Sequence, residues 1–407
     1  MKISENVFYT GKIDWELRRF HGEQLSTNLG SSYNSFLVKG SEKTAIIDTV
    51  WTPHAEEFIE NLFKLVSPDA IDCVVILHSE PDHAGALPLL MSKLPEGTPI
   101  YCSANGAKAI KGQFHGDWNF KTVKTGDKLE LGGATLKFVD AAMLHWPDTI
   151  MCLLEEQNML FSSDVFGQHY ASESLTDRDC DLPALEREAL KYYANIVAPF
   201  AKKAKAKLEE LEKSGINPAM ILPAHGVIWT KQISKIIDLY KAWSSGDPAH
   251  QATIVYDTMY NSTRRIADSI GKALAAADPK LEVKIFNASK SDASEIVTEI
   301  FRSKYLLVGS PTYNNGILNS IAAVLEEIKG MNLEGRIGYA FGSYGWAPRS
   351  VTIISEALKE AGYDMPLSPF KFQWAPDAAK LNEAAQIAPM LLNPVEKGEG
   401  FGIVIEK

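Results

Sequence analysis

From residue 252 onward the chain alternates apolar runs with amphipathic ones, and no other feature restricts its fold as much. Ala252 to Tyr256 reads as a strand, Thr263 to Leu274 as a helix with Ile266, Ile270 and Leu274 on one face, and Val283 to Phe286 as a strand. The helix at Ser291 to Phe301, the strand at Tyr305 to Val308, the helix at Ile317 to Ile328, the strand at Ile337 to Phe341 and the helix at Ser350 to Ala361 continue the series. Strands separated by crossover helices pair in parallel, so the alternation predicts a doubly wound parallel sheet. Just before it, Trp243-Ser244-Ser245-Gly246-Asp247-Pro248 is polar and rich in breakers, the composition of a boundary. A chain of 407 residues is expected to hold two domains, placed here at 1–248 and 249–407.

The first part mixes short β-like runs with helical ones. The β-like runs are Ser35 to Val38, Ala45 to Asp48, Cys73 to Leu77, Ile100 to Cys102, Leu136 to Val139, Met151 to Leu154, Leu160 to Ser163 and Met220 to Leu222. Helical patterns near 54–65, 84–93 and 104–112 suggest sheets sandwiched by helices. Pro183 to Ser214 is helical in pattern, divided at Pro199 and stopped by Gly215. A net charge of −10 argues against a nucleic-acid footprint and against binding to an anionic membrane surface. Cys73, Cys102, Cys152 and Cys180 form no CxxC pair, so no zinc ribbon or iron–sulfur motif is present. Without a signal-like N-terminus or a run of about 20 apolar residues, a cytoplasmic location is expected.

Chemistry concentrates where apolar runs end. His78-Ser79-Glu80-Pro81-Asp82-His83 follows Val74-Val75-Ile76-Leu77 and sets His78, Glu80, Asp82 and His83 on one short loop. Imidazoles and carboxylates so close together compete unless a cation holds them, and a set without cysteine suits iron or another hard-to-borderline metal over structural zinc. His145, Asp164 and His225 also come just after apolar runs. A solitary histidine is more often structural, but four strand-end sites arriving together favour ligation. Seven ligands are too many for one tetrahedral ion and suit two ions sharing a carboxylate, about 3.5–4 Å apart. His21 and Tyr193 are expected to stand behind the ligands.

In the second part, Thr258-Met259-Tyr260-Asn261-Ser262-Thr263 joins the first strand to the first helix. Hydroxyl and amide donors at a helix start form an anion site, and the lack of GxGxxG or GxxxxGK[ST] favours a mononucleotide. Ser310-Pro311-Thr312-Tyr313-Asn314-Asn315 and Ser343-Tyr344-Gly345-Trp346 lie after later strands, where doubly wound sheets bind ligands, and carry aromatics able to stack on a flat ring.

With HSEPDH at 78–83, LHWPDT at 144–149, SSDVFGQH at 162–169, PAHG at 223–226, YDTMYNST at 256–263, GSPTYNNG at 309–316 and FGSYGW at 341–346, nearly the whole chain resembles a flavodiiron protein, or A-type flavoprotein. The resemblance implies an N-terminal metallo-β-lactamase-like αββα sandwich and a C-terminal flavodoxin-like domain with FMN. Related zinc hydrolases carry HxHxDH, and Glu80 stands here in place of the second histidine. Carried over by motif, one iron takes His78, Glu80 and His145, the other takes Asp82, His83 and His225, and Asp164 bridges them. The chain is especially similar to the core of the flavorubredoxins, the anaerobic nitric oxide reductases. Residues 393–407 finish without the CxxC pairs of a fused rubredoxin, so the expected donor is a separate rubredoxin or similar small protein. The family further implies a head-to-tail homodimer or a tetramer built from it.

The activity implied is reduction of nitric oxide to nitrous oxide, of dioxygen to water, or of both, with FMN passing electrons to the metals. Two other readings stay open: a dizinc hydrolase with an accessory flavin domain, and a flavin electron-transfer or gas-sensing protein without turnover.

Overall fold

The computed structural model describes residues 1–331 and 333–393, and the reading made of residues 394–407 lies outside the described residues. The chain forms two compact units that divide between Ser245 and Gly246.

In the first unit the strands are β1 (Val7–Tyr9), β2 (Lys12–Asp14), β3 (Arg19–Phe20), β4 (Leu25–Ser26), β5 (Ser31–Tyr33), β6 (Phe36–Lys39), β7 (Thr44–Ile47), β8 (Cys73–Val75), β9 (Pro99–Cys102), β10 (Asn119–Thr122), β11 (Lys128–Glu130), β12 (Thr135–Asp140), β13 (Ile150–Leu154), β14 (Met159–Ser163) and β15 (Met220–Pro223). Its helices are α1 (Ala55–Phe63), α2 (Pro81–Ala84), α3 (Leu87–Met91), α4 (Ala104–Phe114), α5 (Leu182–Tyr192), α6 (Ala201–Lys213) and α7 (Ile233–Ser245). Two mixed sheets form, in the order β1-β6-β7-β8-β9-β10 and β11-β12-β13-β14-β15. Val38, Ile47 and Val75 from one sheet meet Leu136, Phe138, Cys152 and Phe161 from the other in a single core. Leu37, Ile46 and Val74, on the opposite face, are also fully buried. Strands buried on both faces read as continuous apolar runs, which is the pattern of β8 and β13. This is the αββα sandwich expected.

The helix expected over 84–93 is two pieces, α2 and α3. Gly85 and Pro88 interrupt it: a side chain on Gly85 would meet the Pro81 carbonyl, and Pro88 begins a new turn. The 183–214 segment divides at a short turn, Ala198–Phe200, that contains Pro199, and Gly215 closes α6 at φ +71.

The second unit holds β16 (Ala249–Tyr256), α8 (Ser262–Ala277), β17 (Glu282–Asn287), α9 (Ala293–Arg302), β18 (Ser303–Gly309), α10 (Asn319–Lys329), β19 (Ile337–Tyr344), α11 (Arg349–Glu360), β20 (Phe370–Gln373), α12 (Ala378–Ala385) and α13 (Ile387–Leu392). The sheet order is β17-β16-β18-β19-β20, and all its pairings are parallel. This is the doubly wound sheet expected, and the strand order reverses between β16 and β18. Among the described residues no helix is long and apolar enough to cross a membrane. Cys73, Cys102 and Cys152 are buried, Cys180 is partly buried, and all four are free thiols.

Candidate functional site

In the first unit the strand ends bring all seven expected ligands together. Leu77 donates its N–H to Asp48 Oδ1 (2.7 Å) and accepts from Ile150 N (2.9 Å), so the end of the β8 segment is tied on two sides before His78 leaves it. Pro81 then starts α2, which carries Asp82 and His83 on one helical turn. A β-bulge between Phe161 and Ser163, with Ser163 at φ 53, redirects the chain just ahead of Asp164.

His78 Nε2 lies 3.1 Å and His145 Nε2 3.2 Å from Glu80 Oε2, and each lies 3.7 Å from Asp164 Oδ2. On the other side His225 Nε2 lies 3.0 Å from Asp82 Oδ2, while His83 Nε2 and His225 Nε2 lie 3.1 and 3.5 Å from Asp164 Oδ1. Asp164 thus turns one oxygen to each set. Ligand atoms of His78, Glu80 and His145, of His78, His83 and Asp164, and of Asp82, His83 and His225 cluster within 4.8 Å.

Four of these buried atoms, Asp82 Oδ1, His83 Nε2, Asp164 Oδ2 and His225 Nε2, have no hydrogen-bond partner. Buried polar atoms are rarely left so, and lone pairs and carboxylate oxygens converging on two points fit two cations. The charge balance agrees. Burial opposes a charge on His78, but the carboxylates of Asp148 and Glu80 outweigh it and lift its pKa to about 9. His83 is likewise raised, against its burial, by Asp164 and Asp82. Burial would raise Glu80, Asp82 and Asp164, yet the facing imidazoles hold all three below the usual carboxylate range. A field that stabilises protons on buried imidazoles also stabilises metal cations.

Groups behind the ligands fix their rings, and the sequence reading missed most of them. Asp148 Oδ2 faces His78 Nδ1 (3.2 Å) and accepts from Ser79 N (2.7 Å). Asp48 Oδ2 lies 3.7 Å from His83 Nδ1. His225 Nδ1 lies 2.7 Å from the Ser32 carbonyl; since that oxygen only accepts, Nδ1 carries the proton and Nε2 keeps its lone pair. His21 stands where expected, 3.3 Å from Glu80 Oε1. Tyr193 does not: its hydroxyl pairs with Ser244 and its ring packs on Tyr240 and Trp243. Its neighbour Tyr192 makes the contact instead, donating to Asp164 Oδ1 at 2.8 Å, because α5 turns that position toward β14. His169, the last residue of the SSDVFGQH motif, is buried beside His225, with Nδ1 2.7 Å from Ser31 Oγ. Above the ligands opens a cavity of about 260 Å³, walled by Phe20, His21, Tyr33, Trp51, Glu80 and Asp82.

In the second unit a cavity of about 750 Å³ opens at the carboxyl ends of β16, β18 and β19, on both sides of the reversal in strand order. Thr258, Met259, Tyr260, Ser262, Pro311, Thr312, Tyr313, Asn314, Asn315, Ser343, Tyr344, Gly345 and Trp346 line it, together with Ala347, Trp374 and Ala375, which the sequence reading missed. Three expected members serve the loops instead. Ser310 is fully buried and bonds the Pro311 carbonyl and Leu318 N. Thr263 is fully buried at 3.5 Å from Ser343 Oγ. Asn261, at φ 64, turns the chain into α8. That helix starts without a side-chain cap bond from Asn261, and a helix start of this kind is able to hold an anion. Asp257 braces the first loop by accepting from Thr258 N, Ser289 Oγ and Ser320 Oγ.

A β-lactamase-like unit with a two-metal ligand set, joined to a flavodoxin-like unit, defines a class of metal-dependent flavoproteins. Residues 32–226 match the ODP family beta lactamase and residues 254–387 match flavodoxin. The chain belongs to the flavodiiron proteins, an oxidoreductase family whose cofactors are FMN and a pair of irons. It is 44% identical over 377 residues, 92% of this chain and 78% of the relative, to the anaerobic nitric oxide reductase flavorubredoxin of Escherichia coli. It superposes on rubredoxin oxygen:oxidoreductase from Desulfovibrio gigas with a TM-score of 0.92 at 35% identity, covering 96% of this chain and 97% of that one. For the flavodiiron protein from Giardia intestinalis the values are 0.89, 30%, 96% and 95%.

Proposed function

We propose that the chain reduces nitric oxide to nitrous oxide, using electrons from a rubredoxin or a similar small donor. The observation that carries this reading is the seven-ligand cluster in which Asp164 addresses both sets. The 44% identity to a nitric oxide reductase over 92% of the chain supports that gas as the substrate. Dioxygen reduced to water is the second reading, favoured by the likeness to rubredoxin oxygen:oxidoreductase.

His78, Glu80 and His145 would hold one iron, Asp82, His83 and His225 the other, and Asp164 both. FMN would sit in the second unit's cavity, its phosphate toward Ser262 and the start of α8, its ring among Tyr313, Tyr344, Trp346 and Trp374. Bound there, these groups supply one- and two-electron transfer to a small uncharged molecule. The chain's own work is positional and electrostatic. Three carboxylates offset the charge of the metals, and Asp148, Asp48 and the Ser32 carbonyl orient the rings that ligate them. Tyr192 fixes the rotation of Asp164, so that neither oxygen swings out of reach of its set. Phe20 and Trp51 give the cavity apolar walls suited to an uncharged gas. We further propose that two copies act as a head-to-tail dimer, as the family resemblance implies.

Purified protein is expected to be yellow and to carry about two irons per chain. Steady-state consumption of each gas, driven by one common reduced rubredoxin, decides between the two substrates. Glu80→Ala or Asp164→Ala should abolish consumption of both while FMN stays bound. Zinc found in place of iron, or wild-type protein that consumes neither gas, would sink the reading.

A further inference from the structure

Tyr33 closes β5 and is 1% exposed. Its ring packs edge-on against His225, with centroids 6.0 Å apart, and also against Trp51 and His54. It walls the 260 Å³ cavity above the ligands, facing the same space as Phe20, Glu80 and Asp82. Its hydroxyl is buried and has no hydrogen-bond partner. A buried phenol ordinarily finds one.

The neighbouring residues make that orphan conspicuous. Ser31 Oγ pairs with His169, Ser32 Oγ with Gly226 on both its N–H and its carbonyl, and Asn34 Nδ2 with the carbonyls of Pro223 and Gly226. Ser32 and Asn34 hold the His225 loop, and Ser31 holds the His169 ring beside it. In this run the Tyr33 hydroxyl is left without a partner, as is Asn34 Oδ1, and of the two only Tyr33 walls the cavity. Among the residues walling the cavity it supplies the one hydroxyl. The carboxylates of Glu80 and Asp82 only accept, His21 is already engaged with Glu80, and the other side-chain donors on the wall are the N–H groups of Arg19 and Trp51. Tyr192 cannot serve this space in the same way, because its hydroxyl is committed to Asp164.

We propose that Tyr33 is a catalytic residue whose hydroxyl donates a hydrogen bond to the small molecule held in the cavity beside Asp82 and His225. The inference rests on the reading of the ligand cluster as the reactive centre. A phenol is protonated at neutral pH and so arrives as a donor. Its ring is clamped by three neighbouring rings, which aims the donor before the molecule enters.

The test uses the iron-loaded full-length protein, wild type and Tyr33→Phe, with azide as the probe. Azide carries acceptor nitrogens at both ends, and its infrared stretch reports hydrogen bonding. Loss of one hydrogen bond is expected to weaken azide binding about 3- to 10-fold and to shift the stretch. Iron content and melting temperature should stay at wild-type values, because within the protein the hydroxyl pairs with nothing. The KM for the gas should rise more than kcat falls. Unchanged azide affinity and an unchanged stretch in a variant that retains its iron would overturn the proposal. So would a Tyr33→Phe protein that unfolds or loses iron, since the hydroxyl would then be structural. Wild-type protein that binds azide in a Tyr33-dependent way yet consumes neither gas would sink the functional reading and leave this contact standing.

Discussion

Asp164 can address two ligand sets because its oxygens face opposite ways and Tyr192 holds that rotation. The same crowding makes the centre a proton store when metal is absent. Against their burial, the facing carboxylates raise His78 to about 9 and His83 well above an ordinary imidazole, which favours protons on both at pH 7. Only the neutral ring ligates a metal. Zinc added to metal-free protein at pH 7 should therefore release protons, and the release should shrink as pH rises through about 9, where His78 has already lost its own. A pH indicator in weak buffer measures this, and metal uptake without proton release would contradict it. The seven candidate ligands could be read from sequence because histidine and carboxylate at strand ends are conspicuous residue types. Asp48, Asp148, Ser32 and Tyr192 could not, since what marks them is proximity in space across 35, 70, 193 and 28 residues to His83, His78, His225 and Asp164. Choosing Tyr193 over Tyr192 shows the limit: adjacent helical positions point about 100° apart, and only packing says which one faces the sheet.

The loops between elements are braced by a few side chains, and these were the least legible parts. Asp177, 2% exposed, accepts from the N–H groups of Thr230, Lys231 and Gln232 and from Thr230 Oγ1, tying down the approach to α7. Asp177→Ala would orphan those donors and is expected to destabilise the first unit by about 2–4 kcal/mol in denaturant melts, with Asp177→Asn in between. Gly226, at φ +78, has no room for a side chain: an added Cβ would stand 1.4 Å from Gln168 Oε1. Gly226→Ala should cost about 1–3 kcal/mol and weaken metal binding by displacing His225, seen as a lower iron content after dialysis. Elements of long apolar runs, such as β13, β14, β16 and β18, were legible because burial on both faces leaves only apolar choices. Short strands such as β2 and β10 were not: they are three or four residues long, none of their residues is fully buried and they carry little periodicity.

Across the whole molecule, each unit builds its site from its own residues, so the two sites should be separable by mutation. Trp346 and Trp374 are 91% and 70% exposed at the mouth of the second cavity and would be covered by a stacked ring. Replacing both with Ala should weaken FMN binding about tenfold or more while leaving iron content unchanged, as flavin titration and metal analysis would show. The cysteines bear on the same chemistry. Burial pushes the thiols of Cys73 and Cys102 up to about 12 and Cys152 well above its ordinary value, and even the half-exposed Cys180 is raised. Nitrosation and peroxide damage run through the thiolate, which these sulfurs scarcely populate at neutral pH. If the chain turns over nitric oxide or dioxygen as proposed, its four cysteines therefore present almost no thiolate to the reactive species formed nearby.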